Sequence, residues 1–274
     1  MRIEITPDAA RFLADVEPFL RREPLRHTVI ATALVNRING RSGGMATQFL
    51  SVRDSAGEVV GLAQCTNGAA YLGELPAHTI SAVADAFPAH DIALRSVEGD
   101  DDAAAFAAHW SKTNGGTYGE KFAVRLFRLG TLDVPDAPGA PRQATVDDMA
   151  VCIAMTEEFG VEADVPHRLD ETAVRRRIEA GAYWLWEHHG QPVTLVARQA
   201  AVLGWARTGP VYTPPRFRGN GFASALTATV AGRIRAEGAD ACLFTDLANP
   251  TSNKIYQRIG FEPVRDFVHY ALNS

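Results

Sequence analysis

The sequence predicts a mixed α/β fold, a mixed sheet with helices on its faces, that occurs twice along the chain. Stretches with the apolar spacing of amphipathic helices alternate with short apolar runs that are typical of strands. The order of these elements in the first half of the 274 residues is repeated in the second half. Such an order favours a sheet covered by helices, and its repetition predicts a duplicated fold.

A segment rich in proline and glycine separates the two halves. Its sequence, GTLDVPDAPGAPR at residues 130–142, contains three prolines and two glycines, a composition that excludes a helix or a central strand. We therefore predict a first domain over residues 1–132, a linker over 133–142 and a second domain over 143–274. Both domains have an ordinary size.

In the first half, turn residues and helix-opening residues mark the element boundaries. Ser55, Ala56 and Gly57 favour a turn between two strands. Asp101 and Asp102 are residue types that begin helices. In chain order we predict a mainly helical segment over 8–38, strands over 45–54, 58–65 and 69–75, a helix over 77–87, a strand over 91–98, a helix over 101–113 and a strand over 121–129.

The second half repeats this order. The sequence HGQP at 189–192 is a turn by composition, and apolar residues from Phe222 to Ile234 recur at helical spacing. In chain order we predict helices over 145–160 and 170–181, strands over 182–189, 192–199 and 204–213, a helix over 219–237, a strand over 241–248, a helix over 250–258, and strands over 261–264 and 266–272.

Composition narrows the class of protein. The formal net charge of −5 argues against a general nucleic-acid or anionic-membrane surface. The three cysteines are scattered, which predicts reduced thiols in a cytosol and no disulfide framework. No apolar run reaches the roughly 18 residues of a membrane span, and the charged N-terminus is not typical of a signal peptide. We expect a cytoplasmic protein without nucleic-acid or membrane partners.

The stretch PPRFRGNG at 214–221 predicts an anion-binding loop before the helix over 219–237. Its two prolines end the preceding strand, because proline has no N–H to donate. Gly219 and Gly221 allow a close approach of the backbone to a ligand. The N–H groups and the dipole of the following helix attract anions, and Arg216 and Arg218 add full positive charges.

The motif in this loop resembles that of one superfamily. The stretch lacks the Gly-Lys-Ser/Thr ending of the Walker loop and the third glycine of the dinucleotide fingerprint. Residues 218–223, RGNGFA, match the pattern Arg/Gln-x-x-Gly-x-Gly/Ala. That pattern resembles the pyrophosphate loop of the GCN5-related N-acetyltransferase (GNAT) superfamily. An ordinary glycine-rich helix start is the alternative interpretation of this loop alone.

A second motif strengthens the resemblance. Asn249, Ser252, Tyr256 and the pair Gly260-Phe261 follow at the spacing of the second acetyl-CoA motif of GNAT proteins. The resemblance covers roughly residues 145–274 and implies two tandem acyl-CoA N-acyltransferase folds. The first half is degenerate: the stretch before its helix over 77–87 has one glycine and no arginine. We therefore expect only the second half to bind coenzyme.

The resemblance implies an activity. It is the transfer of an acetyl group from acetyl-CoA to a primary amine of an unidentified acceptor, by direct attack in a ternary complex. Acetyl-CoA is then a co-substrate, no metal is expected, and the partner is a small-molecule or peptide amine. We expect a monomer or a homodimer. Two alternatives stay open, a non-catalytic acyl-CoA binding or sensing module and an acyltransferase that uses a longer acyl-CoA.

The resemblance also implies roles for individual residues. Two strands are expected to splay apart and admit the thioester between them. Tyr256 is expected to be the general acid that protonates the sulfur. Glu162 is the tentative base; Glu157, Glu158, Asp164, His167 and Asp246 are other candidates, and many family members use ordered water instead. The expected coenzyme-binding residues are Val211, Tyr212, Thr213, Arg216, Arg218, Gly219, Asn220, Gly221, Phe222, Ala223, Asn249, Ser252 and Tyr256.

Two further patterns have weaker functional interpretations. His188 and His189 resemble a metal-binding pair, but adjacent strand residues point to opposite faces, so a turn is the preferred interpretation. The run from Arg175 to Arg177 is placed to meet the 3′-phosphate of the coenzyme, but a solvated helix face is the preferred interpretation.

Overall fold

A computed structural model describes residues 1–41, 46–163 and 170–273. The first half has the order β-α-α-β-β-β-α-β-α-β. Its elements are β1 (Arg2–Thr6), α1 (Ala9–Leu20), α2 (Thr28–Ile38), β2 (Thr47–Arg53), β3 (Val59–Thr66), β4 (Ala69–Leu72), α3 (Ile80–Ala89), β5 (Ser96–Gly99), α4 (Ala103–Asn114) and β6 (Thr117–Leu129).

The second half repeats this order element by element. Its elements are β7 (Ala140–Gln143), α5 (Met149–Glu162), α6 (Glu171–Glu179), β8 (Tyr183–His188), β9 (Gln191–Arg198), β10 (Trp205–Tyr212), α7 (Phe222–Ala236), β11 (Asp240–Asp246), α8 (Pro250–Arg258) and β12 (Phe261–Asn273). The mixed α/β fold predicted from the sequence is confirmed.

Three features differ from the predicted elements. Each half begins with a strand, β1 or β7, that was not predicted. β7 includes residues 140–142 of the predicted linker, and it accommodates Pro141 because it is the outermost strand and pairs only with β8. The two strands predicted over 261–264 and 266–272 are one strand, β12, with an irregularity between Pro263 and Arg265.

The twelve strands of the described residues form one sheet in which the last strand of each half is exchanged. The order is β1-β2-β3-β4-β5-β12-β6-β11-β10-β9-β8-β7. β12 therefore pairs with β5 of the first half, and β6 pairs with β11 of the second half. β6 and β12 pair with each other from Phe261–Leu129 to Asn273–Thr117. The domain boundaries at residues 132 and 143 stay a prediction. They divide the chain, whereas the two halves share one continuous sheet.

Helices cover both faces of the sheet. On one face α1 and α2 pack on the first half, and α5 and α6 pack on the second half. On the other face α3 and α4 pack on the first half, and α7 packs with the buried Tyr256 and Ile259 of the α8 region on the second half. Trp184 and Trp186 of β8 are buried under α7. In the described part of the chain, no helix combines the length and apolarity that a membrane crossing requires.

Candidate active site

The two central parallel strands of the second half separate at their C-terminal ends. β10 and β11 pair from Trp205–Asp240 to Thr208–Leu243, where the ladder between them stops. β10 continues to Tyr212 along β9, with an irregularity between Thr208 and Val211. β11 continues to Asp246 along β6. Each strand thus follows its outer neighbour, and a gap opens between them where the GNAT resemblance implies a splay.

The cradle, which we define as residues 214–224, follows directly after β10. Gly219 and Gly221 have φ values of +82° and +79°, a backbone region that favours glycine. Phe222 is buried and begins α7, and Ala223 lies in its first turn. The backbone N–H groups of residues 219–224 have no acceptor among the described residues. These N–H groups lie at the positive end of the α7 dipole, an arrangement that favours anions.

Asn220 and Arg216 complete the loop. Asn220 Nδ2 donates to the carbonyl oxygens of Phe217 and Arg218 at 3.1 and 3.2 Å, so its side chain holds the turn in place. The exposed Arg216 lies with its guanidinium carbon 4.6 Å from the centre of the Phe217 ring. No carboxylate in the described part of the chain pairs with Arg216, and its charge is open to a ligand.

Arg218 is held by the end of α5. Its Nη2 donates to both carboxylate oxygens of Glu162 at 2.7 Å, and its Nε donates to the Thr213 carbonyl oxygen at 2.9 Å. Glu162 therefore orients Arg218 beside the cradle. Both carboxylate oxygens of Glu162 are thereby occupied by one guanidinium. This arrangement gives no support to the tentative role of Glu162 as base.

The end of β10 joins the cradle to the same carboxylates. The hydroxyl of buried Tyr212 donates to Glu162 Oε1 at 3.2 Å. Burial, and then a hydrogen bond with Glu158, raise the pKa of Tyr212 to about 12. The hydroxyls of Thr213 and Thr194 lie 2.8 Å apart. These side chains are used within the protein, so the contribution expected from this strand to coenzyme binding would come from its backbone.

The second motif begins α8 at the edge of the gap. Asn249 Oδ1 accepts the N–H of Ser252 at 3.0 Å and caps the helix. Asn253, which was not singled out from the sequence, donates its Nδ2 to the carbonyl oxygens of Asp246 and Asn249 at 2.9 and 2.7 Å. Asn249 is thus the N-cap residue of α8. Its amide nitrogen is the group available for the expected role toward a coenzyme.

Tyr256 is the buried residue of α8 and belongs to the core cluster that also contains residues of α7. Its ring is 8% exposed and stands edge-on to Phe261, with the ring centres 6.2 Å apart. Burial raises the pKa of its hydroxyl to about 12. The hydroxyl keeps its proton at neutral pH, and it has no hydrogen-bond partner among the described residues. It is available as a donor.

The other candidate bases are dispersed. Glu157 is half-buried and Glu158 is exposed on α5, and Glu158 interacts with Tyr212 as described above. The exposed Asp246 accepts a hydrogen bond at 2.8 Å from the backbone N–H two residues later. Asp164 and His167 lie outside the described residues.

Comparisons with protein-family models and with solved structures identify proteins that are similar to this chain. Residues 189–269 match the family model described as FR47-like protein, and this segment includes both motifs. An acetyltransferase of the GNAT family from Colwellia psychrerythraea is similar over 100% of each chain, with a TM-score of 0.63 and 11% identity. The chain has the GNAT fold. The fold that the resemblance of the two motifs implies is confirmed.

Two further structures with this fold are similar to the chain. A tandem GNAT protein from the clavulanic acid biosynthesis pathway has a TM-score of 0.60 and 14% identity over 98% of each chain. A GCN5-related N-acetyltransferase from Sphaerobacter thermophilus has a TM-score of 0.60 and 17% identity over 81% of this chain and 79% of its own. A search of the curated proteins finds no significant match.

The first GNAT-like half has no counterpart of the cradle in the structure. After β4, the chain stays bonded to β3, because the Gly73 N–H donates to the Leu62 carbonyl oxygen at 2.8 Å and the Leu62 N–H donates to Glu74 at 3.1 Å. A 3₁₀ turn at Ala77–Thr79 then leads into α3. The turn satisfies the Thr79 N–H through Pro76 at 2.8 Å, so it forms no glycine loop with free donors.

Charged side chains fill the place where the first half would have its gap. Asp100, next after β5, has a side chain only 2% exposed. Its Oδ2 accepts from Arg26 at 2.8 Å and from Arg265 of the exchanged strand β12 at 2.9 Å. Glu74 lies 3.6 Å from Arg26. Burial, and then the charge of Arg26, lower the pKa of His27 to about 4. We call Arg26, His27, Glu74, Asp100, Asp102 and Arg265 the plug.

Asp102 is the most perturbed carboxyl of the plug. It occupies the N-cap position of α4, as Asn249 does in α8. It is 6% exposed, and neither of its carboxylate oxygens has a hydrogen-bond partner among the described residues. Burial, and then the charge of Asp100, raise the pKa of Asp102 from 3.8 to about 7. The plug was not predictable from the sequence, because its members are brought together only by the fold.

Proposed function

We propose that this protein transfers an acetyl group from acetyl-CoA to a primary amine, by direct attack in a ternary complex in its second half. The observation that supports the proposal best is the row of acceptor-free backbone N–H groups at residues 219–224, immediately beside the gap between β10 and β11. An anion site that adjoins an opening between two strands suits a ligand with a diphosphate and a long arm. Bound acetyl-CoA would supply the thioester.

The cradle would hold the diphosphate. Backbone donors at a helix N-terminus bind phosphate oxygens without needing a side chain, and Arg216 adds an unpaired positive charge. Arg218, kept in place by Glu162, would add a second positive charge beside them. The unpaired edge of β10 after Thr208 would offer its backbone to the arm that leads to the thioester.

Tyr256 would act on the sulfur. Its phenol holds its proton firmly because burial raises its pKa to about 12, whereas thiols ordinarily ionise near pH 8.5. Complete proton transfer from this phenol to a thiolate is therefore uphill. The hydroxyl would act mainly as a hydrogen-bond donor that stabilises negative charge as it develops on the sulfur, and the expected general acid role takes this form.

The acceptor would approach from the face covered by α5 and α6, and residues of both halves would line its path. β6 places Val124 beside Asp246 at the end of β11. Two residues earlier on β6, Phe122 stacks on His269 of β12, with the ring centres 4.5 Å apart. His269 Nδ1 lies 3.5 Å from Glu98 of β5. Through strand exchange, β5 and β6 of the first half would thus form one wall of the acceptor site.

A panel of primary amines tests the activity. The full chain is incubated with acetyl-CoA and each amine, and release of free thiol is followed. Amine-dependent release supports the proposal, and the same panel with longer acyl-CoA thioesters tests the donor. If tight acetyl-CoA binding occurs with no turnover across aliphatic, amino-acid, aminoglycoside and peptide amines, the chain is a binding module instead.

A matched pair of variants tests the acceptor wall. Phe122→Ala should raise the KM for the amine and leave the dissociation constant of acetyl-CoA unchanged, because Phe122 lies away from the cradle. Tyr118→Ala is the control, since Tyr118 is exposed on the same strand and contacts Tyr270 on the opposite face. Equal effects of the two variants on KM would place the acceptor elsewhere.

A further inference from the structure

A cavity of about 260 Å³ lies between the two halves, away from the cradle. Asn36 and Arg41 border it from the first half, and Arg177, Arg198 and Glu237 border it from the second half. Ala206, near the start of β10, is also part of its wall. The cradle follows the opposite end of β10, which is Tyr212. The six residues from Ala206 to Tyr212 correspond to roughly 20 Å of strand.

The lining of this cavity is strongly cationic. It contains the three guanidinium groups of Arg41, Arg177 and Arg198 and the single carboxylate of Glu237, so its formal charge is 3 − 1 = +2. Glu237 is already bound to Arg198 Nη2 at 2.5 Å. Its side chain is 53% exposed, whereas that of Arg198 is 17% exposed. The carboxylate therefore lies toward solvent and the guanidinium toward the interior.

Two of these guanidinium groups have donors without acceptors. Arg177 Nη2 and Arg198 Nη1 are covered from solvent and have no hydrogen-bond partner among the described residues. A buried donor of a charged group that lacks a partner is costly. Such costs are offset when an anion accepts the free N–H bonds.

A fourth arginine, Arg207, follows Ala206 in the sequence and is not part of the lining. Its Nη1 is also covered and without a partner in the described part of the chain. Burial lowers the pKa of Arg207, interactions with Cys242, Tyr71 and Glu98 oppose this shift, and the charge of Arg177 adds to it. A negative ligand in the cavity would reduce the repulsion between Arg177 and Arg207.

Contacts within the protein hold Arg177 and the elements around the cavity in position. The Arg177 guanidinium lies over the Tyr183 ring, with 4.9 Å between its carbon and the ring centre. On the same helix, Arg176 Nη1 donates to the Gly40 carbonyl oxygen at 2.8 Å and ties α6 to the end of α2. Asn36 Nδ2 donates to Gln199 Oε1 at 3.2 Å across the two halves. Rigid guanidinium groups favour the paired oxygens of phosphates and carboxylates.

We propose that this cavity is a binding site for a small, doubly charged oxyanion, with phosphate or a phosphate monoester as the ligand. The volume lies just below the range for drug-sized ligands, so it suits a small group of few atoms. Because the donors come from both halves, a bound anion would hold α2 and α6 together. The proposal does not depend on acetyl transfer.

Calorimetry on the full chain tests this site, with inorganic phosphate as the probe at constant ionic strength. Coenzyme A is present at saturation, so that the cradle is occupied. One equivalent of phosphate should bind, and Arg177→Gln should weaken this binding roughly tenfold or more. Arg175→Gln is the matched control, because Arg175 is exposed on the same helix and does not line the cavity. Succinate in place of phosphate distinguishes a tetrahedral from a dicarboxylate preference.

The outcomes separate clearly. Phosphate binding that coenzyme A abolishes would place the anion at the cradle and overturn the proposal. Equal weakening by Arg175→Gln and Arg177→Gln would show non-specific attraction and also overturn it, as would tighter binding of succinate than of phosphate. If Arg177→Gln does not fold by circular dichroism, Arg41→Gln, which removes a cavity-lining guanidinium from the first half, must weaken phosphate binding for the proposal to stand.

Discussion

Asp102 of the plug makes a specific prediction about stability and pH. Its pKa is about 7 in the folded protein and 3.8 in the unfolded reference, a difference of about 3 units. At 1.36 kcal/mol per unit, ionisation of Asp102 disfavours the folded state by about 4 kcal/mol at most above pH 7. Asp102→Asn keeps the shape of the protonated carboxyl and cannot ionise. We expect it to unfold less readily than the wild type at pH 8.

The direction of the effect follows from proton binding. The folded state binds the Asp102 proton more tightly, so the stabilising contribution of the protonated group is complete below pH 4 and is lost as pH rises to about 7. The advantage of Asp102→Asn should therefore be near zero at pH 4 and grow by up to about 1.4 kcal/mol per pH unit. His27, whose pKa is lowered to about 4, loses stability in the opposite direction, as pH falls. The difference between the two proteins, and not the wild-type profile, isolates Asp102.

Urea unfolding at pH 4.5, 6 and 8 measures this difference. Asp101→Asn is the control, because Asp101 is the exposed neighbour and should show no pH-dependent gain. A difference between wild type and Asp102→Asn that stays constant from pH 4.5 to 8 would refute the reasoning. So would an equal gain in Asp101→Asn, since the effect would then belong to net charge.

Three further predictions concern the second half. Gly221→Ala and Gly190→Ala both place alanine at positive φ, +79° and +73°, and each should cost about 1–2 kcal/mol of unfolding free energy; only Gly221→Ala should weaken acetyl-CoA binding, as measured by calorimetry. Tyr256→Phe should lower kcat roughly 10²-fold with the coenzyme dissociation constant nearly unchanged, as measured by thiol release and calorimetry. Glu162→Gln should keep kcat within roughly threefold, because both carboxylate oxygens of Glu162 are engaged by Arg218; a fall as large as that of a general base would instead support the tentative role of Glu162 as base.

Local patterns in the sequence were sufficient to predict the glycine loop and helix start of the cradle. The positive φ of Gly219 and Gly221, the buried Phe222 and the cap by Asn249 all depend on residues close together in the chain. Glycine and helix-cap preferences act at this range. The predicted order of helices and strands depends on equally local spacing, and the structure confirms the mixed fold that it implied.

Contacts between distant residues were not predictable in this way. Glu162 and Arg218 are 56 residues apart, and the plug joins Arg265 to Asp100 over 165 residues. β1 and β7 are short edge strands, which bury little and carry a weak apolar pattern. The exchange of β6 and β12 concerns which strands pair in the sheet. The apolar spacing within one strand does not indicate which strand will pair with it.

Strand exchange gives a physical reason why the protein needs its first half although that half lacks a cradle. β11 carries one side of the gap, and its outer edge is paired with β6 from Asp246–Val124 to Cys242–Arg128. Without residues 1–132, this edge would expose unpaired N–H and C=O groups beside the gap, and β12 would lose both β5 and β6. The position of β11, and with it the width of the gap, therefore depends on the first half. The plug then has a consistent role, because ion pairs from Arg26 and from Arg265 to Asp100 bind the exchanged strand to the first half. The first half thus supports the gap through the sheet, whether or not it ever binds a ligand of its own.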